Sequence, residues 1–497
     1  MLSGVARVVF QTLSMCIGFF LTPFLVLKLG DYWFGLWTLI NTIVVYFNYV
    51  DPGMDSALQR FMGVAIGKND IEEQKKVFTN GQVLNSFFSF TVIVLVSIVS
   101  MFILNASFEN HELVAQLVFF MGLSLGIHFL FRGYFSVIKA NIRDDIIAFV
   151  SFIRALLNAL LTVYFISKGY SLVALMLITI FASFAEVLIV VLLVKNISSA
   201  VKFSRHLIDN DYCWQMLKFS SKSFLMKISN LLKTQIDELV LAKFVSVNMV
   251  TYYAIAYRLT FMPFILVYRL FSGTLSYFSQ LVGEENREIL REKVLFLTKI
   301  SIPFALLYCA GIFFLGKQFV TLWVGVKYAE VVYLPLILLS IYYSLDIVFI
   351  GLGNAITSMN RHKWMSIASI IEGLLNLSLS IYFTAVFGLG VLGVVLGSLV
   401  AKLVNVFIFT PIFFYFVISD NLNLQTSIYF KYLFKYTIFG ISVYSVLYII
   451  MGSLYLRIDS IYAVFLGVIP LGMGFIINII LCLNKRERAL LHQKIFA

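Results

Sequence analysis

Residues 219–245 read FSSKSFLMKISNLLKTQIDELVLAKFV, a segment long enough to cross a bilayer that nevertheless carries Lys222, Lys227, Asn230, Lys233, Asp237 and Glu238. About 20 residues suffice to span the hydrocarbon. Wound as one helix at about 100° per residue, Lys222, Asn230, Lys233 and Asp237 fall within a sector of roughly 80°. Phe224, Leu225, Ile228, Leu232, Leu239 and Leu241 fill the apolar remainder. A charge at the bilayer centre costs about 2.5–3.5 kcal/mol on insertion scales, so these side chains are expected to face protein or water. Two readings follow. In one, Lys222 snorkels to the interface while Lys233 and Asp237, at i and i+4, form a structural ion pair. In the other, the segment walls a hydrated cavity whose basic surplus suits an anionic ligand, which also gives Lys227 and Glu238 a use.

Composition sets the class. With 61% hydrophobic and 12% charged residues and a mean hydropathy of +0.95, the chain is unlike soluble domains, in which about a quarter of residues are charged. A polytopic all-α membrane protein is predicted. Cys16, Cys213, Cys309 and Cys482 are scattered without a C-x-x-C, so they read as free thiols. The net charge of +12 has no soluble domain to form a nucleic-acid patch, and membrane topology accounts for it. The apolar run that follows Arg7 is too long for a signal peptide and reads as the first permanent span.

Apolar windows predict about fourteen transmembrane helices, near 5–28, 33–58, 81–105, 114–138, 146–167, 171–194, 219–245, 250–280, 294–316, 330–357, 364–386, 391–418, 433–456 and 461–483. Loops at 64–80, 139–145, 195–218, 283–293 and 358–363, with the tail from Lys485, hold about three times the Lys and Arg of the opposite set, which predicts that both termini are cytoplasmic. The opposite loops are short, none above about fifteen residues, leaving no room for an external catalytic domain.

An internal repeat is visible. Ile153-Arg-Ala-Leu-Leu-Asn158 matches Ile371-Glu-Gly-Leu-Leu-Asn376, and Val163-Tyr-Phe165 matches Ile381-Tyr-Phe383. Six spans per half predicts two pseudo-symmetric six-helix lobes, parallel repeats about an axis along the membrane normal, with a substrate site between them. The expected division is an N-terminal lobe over 1–200, a cytoplasmic linker over 201–218, a C-terminal lobe over 219–420, and an extra hairpin with a basic tail over 421–497.

In the second span Asn41, Asn48, Asp55 and Gln59 share a face, and Asp51-Pro-Gly53 interrupts them, predicting a kink. This stripe is either a buried polar seam or part of a cavity. In the eighth span Arg258 and Arg269 lie eleven residues apart on one face, where guanidinium forks suit a phosphate. Tyr252, Tyr253 and Tyr257 are expected at the membrane interface or stacked on sugar. Arg154, Glu186, Lys299, Asp346, Glu372 and Lys402 are isolated intramembrane charges, suited to structural pairing or ion coupling. Arg132 is expected to snorkel. No Walker A, H-E-x-x-H or G-x-S-x-G motif is present, and His111, His128, His206, His362 and His492 are far apart, so neither an enzyme nor a cofactor or metal site is predicted.

Tyr32-Trp-Phe-Gly-Leu-Trp37, Asp51-Pro-Gly53, the basic loop leading into Phe219-Ser-Ser-Lys222, and Asn360 resemble the Wzx-type polysaccharide flippases of the multidrug/oligosaccharidyl-lipid/polysaccharide exporter superfamily, over about residues 1–418. The resemblance implies a bacterial inner-membrane transporter that moves an undecaprenyl-diphosphate-linked oligosaccharide, an O-antigen or capsule unit, by alternating access through a cationic cavity. Lys222, Lys227, Lys233, Arg258 and Arg269 are then the candidate substrate ligands, and Asn48, Asp55, Asn230 and Asp237 the polar or coupling groups. Implied partners are membrane lipids, a coupling ion (H+ or Na+) and the polysaccharide polymerase and ligase machinery. A lipid-II flippase, a multidrug antiporter of the same superfamily and an enzyme of polysaccharide assembly are the alternatives. The last hairpin, outside the repeat, is expected either to accommodate the lipid tail or to be a peripheral pair.

Overall fold

The computed structural model describes residues 2–198, 201–271, 273–361, 363–413, 415, 426–455 and 461–483, and every regular element among them is helical. In lipid each backbone N–H and C=O needs an internal partner, and a helix supplies one within its own segment. Ten helical stretches among the described residues are long and apolar enough to cross a membrane. The protein is a multi-pass, all-helical integral membrane protein. By compactness it divides into two units, Met1–Gln235 and Ile236–Ala497.

The first unit runs α1 (Leu2–Phe47), α2 (Met54–Gly67), α3 (Ile71–Leu104), α4 (His111–Leu130), α5 (Arg132–Ala140), α6 (Asp144–Ser167), α7 (Leu172–Ile197) and α8 (Asn210–Thr234). α1 is interrupted at Gly30, whose φ of 78° and ψ of 175° only a residue without Cβ adopts cheaply. Residues 64–80, expected to be a loop, are largely helical. α2 runs to Gly67, and the Asp70 side chain accepts from the Glu73 amide at 2.9 Å to start α3 at Ile71. The stretch before α8 is held to α3: Asn80 Oδ1 accepts the Asp209 amide at 2.8 Å, and Asn80 Nδ2 donates to the Leu207 carbonyl at 2.9 Å.

The second unit runs α9 (Asp237–Phe244), α10 (Val247–Leu270), α11 (Thr274–Gly283), α12 (Arg287–Trp323), α13 (Val326–Val348), α14 (Ile350–Ser358), α15 (Lys363–Ile381), α16 (Val391–Val404) and the short α17 (Thr410–Phe413), then helices Thr426–Tyr455 and Ile461–Cys482. Its core joins Phe264, Phe278, Val294, Tyr308, Tyr343 and Tyr429. α15 and α16 cross closely at glycines. A Cβ on Gly397 would lie 2.6 Å from the Ser380 amide nitrogen, and one on Gly393 would lie 3.0 Å from that of Thr384 in the turn that continues α15. Small residues at helix crossings are how backbones approach in membranes, where no hydrophobic effect drives helices together.

Residues 219–245 are two helices, not the single one expected. α8 ends at Thr234, Gln235 and Ile236 bend, and α9 starts at Asp237; the boundary between the two units falls in this bend. The Gln235 carbonyl, freed by the break, accepts the Tyr46 hydroxyl at 2.8 Å. The single helical wheel that grouped Asp237 with Lys222, Asn230 and Lys233 therefore does not apply, because Asp237 opens a new helix.

Candidate functional site

In the first unit the site is built on the Asp51-Pro-Gly53 interruption. Pro52 cannot continue a helix, and Gly53 takes φ 118°, so the second half of α1 gives way to a 3-10 turn, Asn48–Val50, and a fresh start at Met54. The expected kink is a full break. Asp51 Oδ1 accepts from the amides of Gly53 (2.9 Å) and Met54 (2.6 Å), capping α2. Its Oδ2 accepts from Arg132 Nη1 at 2.9 Å and Lys227 Nζ at 3.1 Å. Lys227 Nζ also donates to the Asp51 carbonyl at 3.0 Å.

Arg132 does not snorkel. Its other fork nitrogen donates to Asn48 Oδ1 at 2.7 Å, and its guanidinium lies 3.6 Å from the Phe129 ring centroid. A second break, between α4 and α5, aims it. Tyr134 N turns to the Phe131 carbonyl at 3.0 Å, and the Leu130 carbonyl takes the Gln82 amide instead. Asp55 accepts from Ser136 Oγ at 2.8 Å and from Lys139 Nζ. Of the predicted site residues, Asn48, Asp55 and Lys227 thus join one network. The residues that sequence reasoning missed there are Arg132, Ser136 and Lys139, which recur at i, i+4 and i+7 on α5. That spacing was the available signal.

In the second unit Asp237 is 2% exposed at the start of α9. It accepts from Tyr253 at 2.6 Å, Ser398 at 3.1 Å and Asn376 at 3.2 Å, one partner each from α10, α16 and α15. Asn376 could have been found through the repeat that pairs it with Asn158. Glu238 follows, 7% exposed and within electrostatic reach of Arg258. Arg258 and Arg269 are half-buried on the one continuous helix α10, and Lys233 is half-buried near the end of α8. The side chains of Lys222 and Asn230, and the tail from Lys485, lie outside the described residues. Tyr252 and Tyr253, expected at an interface or against sugar, are instead buried at 8% and 2% exposure, and Tyr253 and Tyr257 stack at 6.1 Å.

Of the isolated intramembrane charges, Arg154, Glu186, Asp346, Glu372 and Lys402 prove to be grouped, and Lys299 lies 5.5 Å from the Tyr432 ring centroid. Lys402 Nζ meets Asp346 Oδ1 and lies 3.7 Å from Glu372, whose carboxylate also accepts from Asn405 and, at 3.3 Å, from Tyr342. Arg154 pairs with Glu186 at 3.0 Å. Among the described residues no cluster of His, Cys, Asp and Glu is placed to hold a metal.

Residues 29–333 match the family model described as polysaccharide biosynthesis protein. The chain belongs to that family. This upholds the polysaccharide-flippase resemblance carried by the motifs. Over 425 residues the chain is 24% identical to an uncharacterized membrane protein, EpsK, of Bacillus subtilis (strain 168), covering 81% of this chain and 80% of that protein. Its fold is shared with the lipid II flippase MurJ in an inward closed conformation, with a TM-score of 0.73 and 15% identity over 100% of both chains. It is also shared with an inward-facing MATE-family multidrug resistance transporter of the MOP superfamily, with a TM-score of 0.65 and 16% identity over 81% of this chain and 96% of that one. A MOP-superfamily transporter from Pyrococcus furiosus, whose binding pocket is described as reversed in polarity, gives a TM-score of 0.62 at 17% identity over 82% and 93%. At these identities the likeness to solved structures establishes a common fold.

Proposed function

We propose that this protein is a flippase that carries an undecaprenyl-diphosphate-linked oligosaccharide repeat unit, of O-antigen or capsular type, from the cytoplasmic to the periplasmic leaflet of a bacterial inner membrane by alternating access. The observation that carries the reading is the family match over residues 29–333 by a chain built of long apolar helices. A pyrophosphate and its sugars pass hydrocarbon only through a wet, basic path, because desolvating charged and polar groups is costly. Lys222, Lys227, Lys233, Arg258 and Arg269 are the proposed cations of that path. Asn48, Asp55, Asn230 and Asp237 are its polar or coupling groups, and H+ or Na+ is the proposed coupling ion. The chain itself performs no bond chemistry in this scheme.

The proposed topology has fourteen spans, six in each of two lobes (1–200 and 219–420), a cytoplasmic linker over 201–218, a hairpin and basic tail over 421–497, and both termini in the cytoplasm. An apolar cavity of about 420 Å³ in the second unit, lined by Leu306, Cys309, Phe313, Ile341, Tyr444 and Ile449, supports a lipid-tail role for the hairpin. A lipid-II-type substrate is the second reading, favoured by the fold shared with MurJ along the whole of both chains. A multidrug antiporter is disfavoured by the excess of basic over acidic candidates.

Surface polysaccharide exported by cells lacking their own copy of the gene tests the scheme. Lys233→Ala and Arg269→Ala, at membrane levels equal to the unsubstituted protein, are each expected to lower export by about tenfold, the worth of one charge-assisted contact. Undiminished export in both would reject it.

A further inference from the structure

The first unit holds a ladder of charge in which the central acid, Asp51, is buried and the three cations around it are half-buried. Asp51 and Asp55, four residues apart, face Arg132, Ser136 and Lys139 of α5, and Lys227 of α8 closes on Asp51. Among the described residues three cations meet two carboxylates, a formal surplus of one positive charge. The Asp51 side chain is 1% exposed, whereas those of Arg132, Lys139 and Lys227 are 19%, 28% and 34% exposed and that of Asp55 is 38% exposed, so Asp51 alone is shut away from a ligand. A purely structural salt bridge needs no third cation.

We propose that Asp51 is an internal stand-in for the pyrophosphate of the transported lipid, and that Arg132, Lys139 and Lys227 form the site at which that pyrophosphate is first taken up. This deepens the flippase reading and rests on it. Ligand entry moves Arg132 and Lys227 from a monoanionic carboxylate to a group of higher charge, which offers the guanidinium fork two acceptors at once. Arg132 is already oriented for this by Asn48 Oδ1 and the Phe129 ring. Asp51, once released, keeps the amides of Gly53 and Met54, so the buried carboxylate is not left bare.

Two consequences follow. Competition from Asp51 weakens binding enough for the ligand to leave again. The exchange also removes the carboxylate ties that Asp51 makes to α5 and α8, leaving the Asp55–Ser136 bond between α2 and α5, so loading biases the conformation of the unit. Lys139 stands one residue before the end of α5, beside the loop 141–143, on the side that the proposed topology assigns to the cytoplasm.

The test is calorimetric titration of the full-length protein in phosphatidylcholine nanodiscs with two probes, inorganic pyrophosphate and farnesyl diphosphate. Asp51→Asn keeps the cap acceptor and removes the charge. It is expected to bind about tenfold more tightly and to transport more slowly, the mark of a competitor removed. Arg132→Gln and Lys139→Gln are expected to bind about tenfold more weakly. Tightening with both probes assigns the site to the headgroup alone; tightening with farnesyl diphosphate only assigns it to a lipid-borne pyrophosphate. Equal affinity in Asp51→Asn and the unsubstituted protein, or binding of neither probe by any form, overturns the proposal. Should Asp51→Asn not fold, Asp55→Asn removes the competitor of Lys139, and unchanged affinity there overturns it equally. Polysaccharide export by the unsubstituted protein is scored separately: export without tightening removes the stand-in alone, and absent export removes the flippase reading.

Discussion

Asn80 does for the chain ahead of α8 what a cap does for a helix end. It is fully buried, and its amide satisfies both the Asp209 N–H and the Leu207 carbonyl. Asn80→Ala leaves these groups short of a partner, and an unmade buried hydrogen bond costs about 1–3 kcal/mol. A corresponding loss of stability in denaturant titrations of the purified protein is the expected result, and unchanged stability would show that water replaces the amide. The two partners lie 127 and 129 residues away in sequence. That distance is why Asn80 drew no notice in the sequence. The same holds for charges. Hydropathy marks Asp51, Arg132 and Lys227 as costly in a bilayer, but Arg132 and Lys227 reach Asp51 from 81 and 176 residues away, and no local pattern says which cation meets which acid.

At the scale of elements, the crossing of α15 and α16 rests on missing side chains. Gly397→Ala would set a methyl 2.6 Å from the Ser380 amide nitrogen, and backbone cannot yield as a flexible side chain does. The expected cost is at least about 2 kcal/mol, at the high end for single substitutions, seen as a lower melting temperature or poor accumulation in the membrane. An accommodating site would show no shift. Hydropathy made the helices legible because about 20 apolar residues have few other uses. Breaks were legible only where chemistry announces them. Pro52 and Gly53 do so; Leu130-Phe131-Arg132 and Thr234-Gln235-Ile236 contain neither residue type, and their freed carbonyls are taken by Gln82 and Tyr46 from elsewhere in the chain.

At the scale of the whole molecule, composition alone identified a polytopic membrane protein, since repeated long apolar runs with few charges suit lipid and not a soluble surface. The last two helices show where that reading thins. They were expected to serve the lipid tail or to sit at the periphery, and they pack on α12. Phe475 meets Phe304 at 4.9 Å, Tyr429 and Thr298 lie 3.2 Å apart, and a Cβ on Gly440 would overlap Leu306. A chain ending at residue 425 is therefore expected to lose stability of the second unit as well as glycolipid transport. A truncated protein that melts like the full chain would return the hairpin to a peripheral role.

α12 has 37 residues, about 55 Å at the usual rise, against roughly 30 Å of hydrocarbon. Its N-terminal turns bury Leu290 and Val294 against Phe278 and Leu281, in the same core that continues to Tyr308 and Tyr429. The apolar packing of this rod is thus supplied by protein from its first turns onward. Where α12 outruns the hydrocarbon, protein covers its apolar face, so that part of its packing is expected to depend little on acyl-chain length.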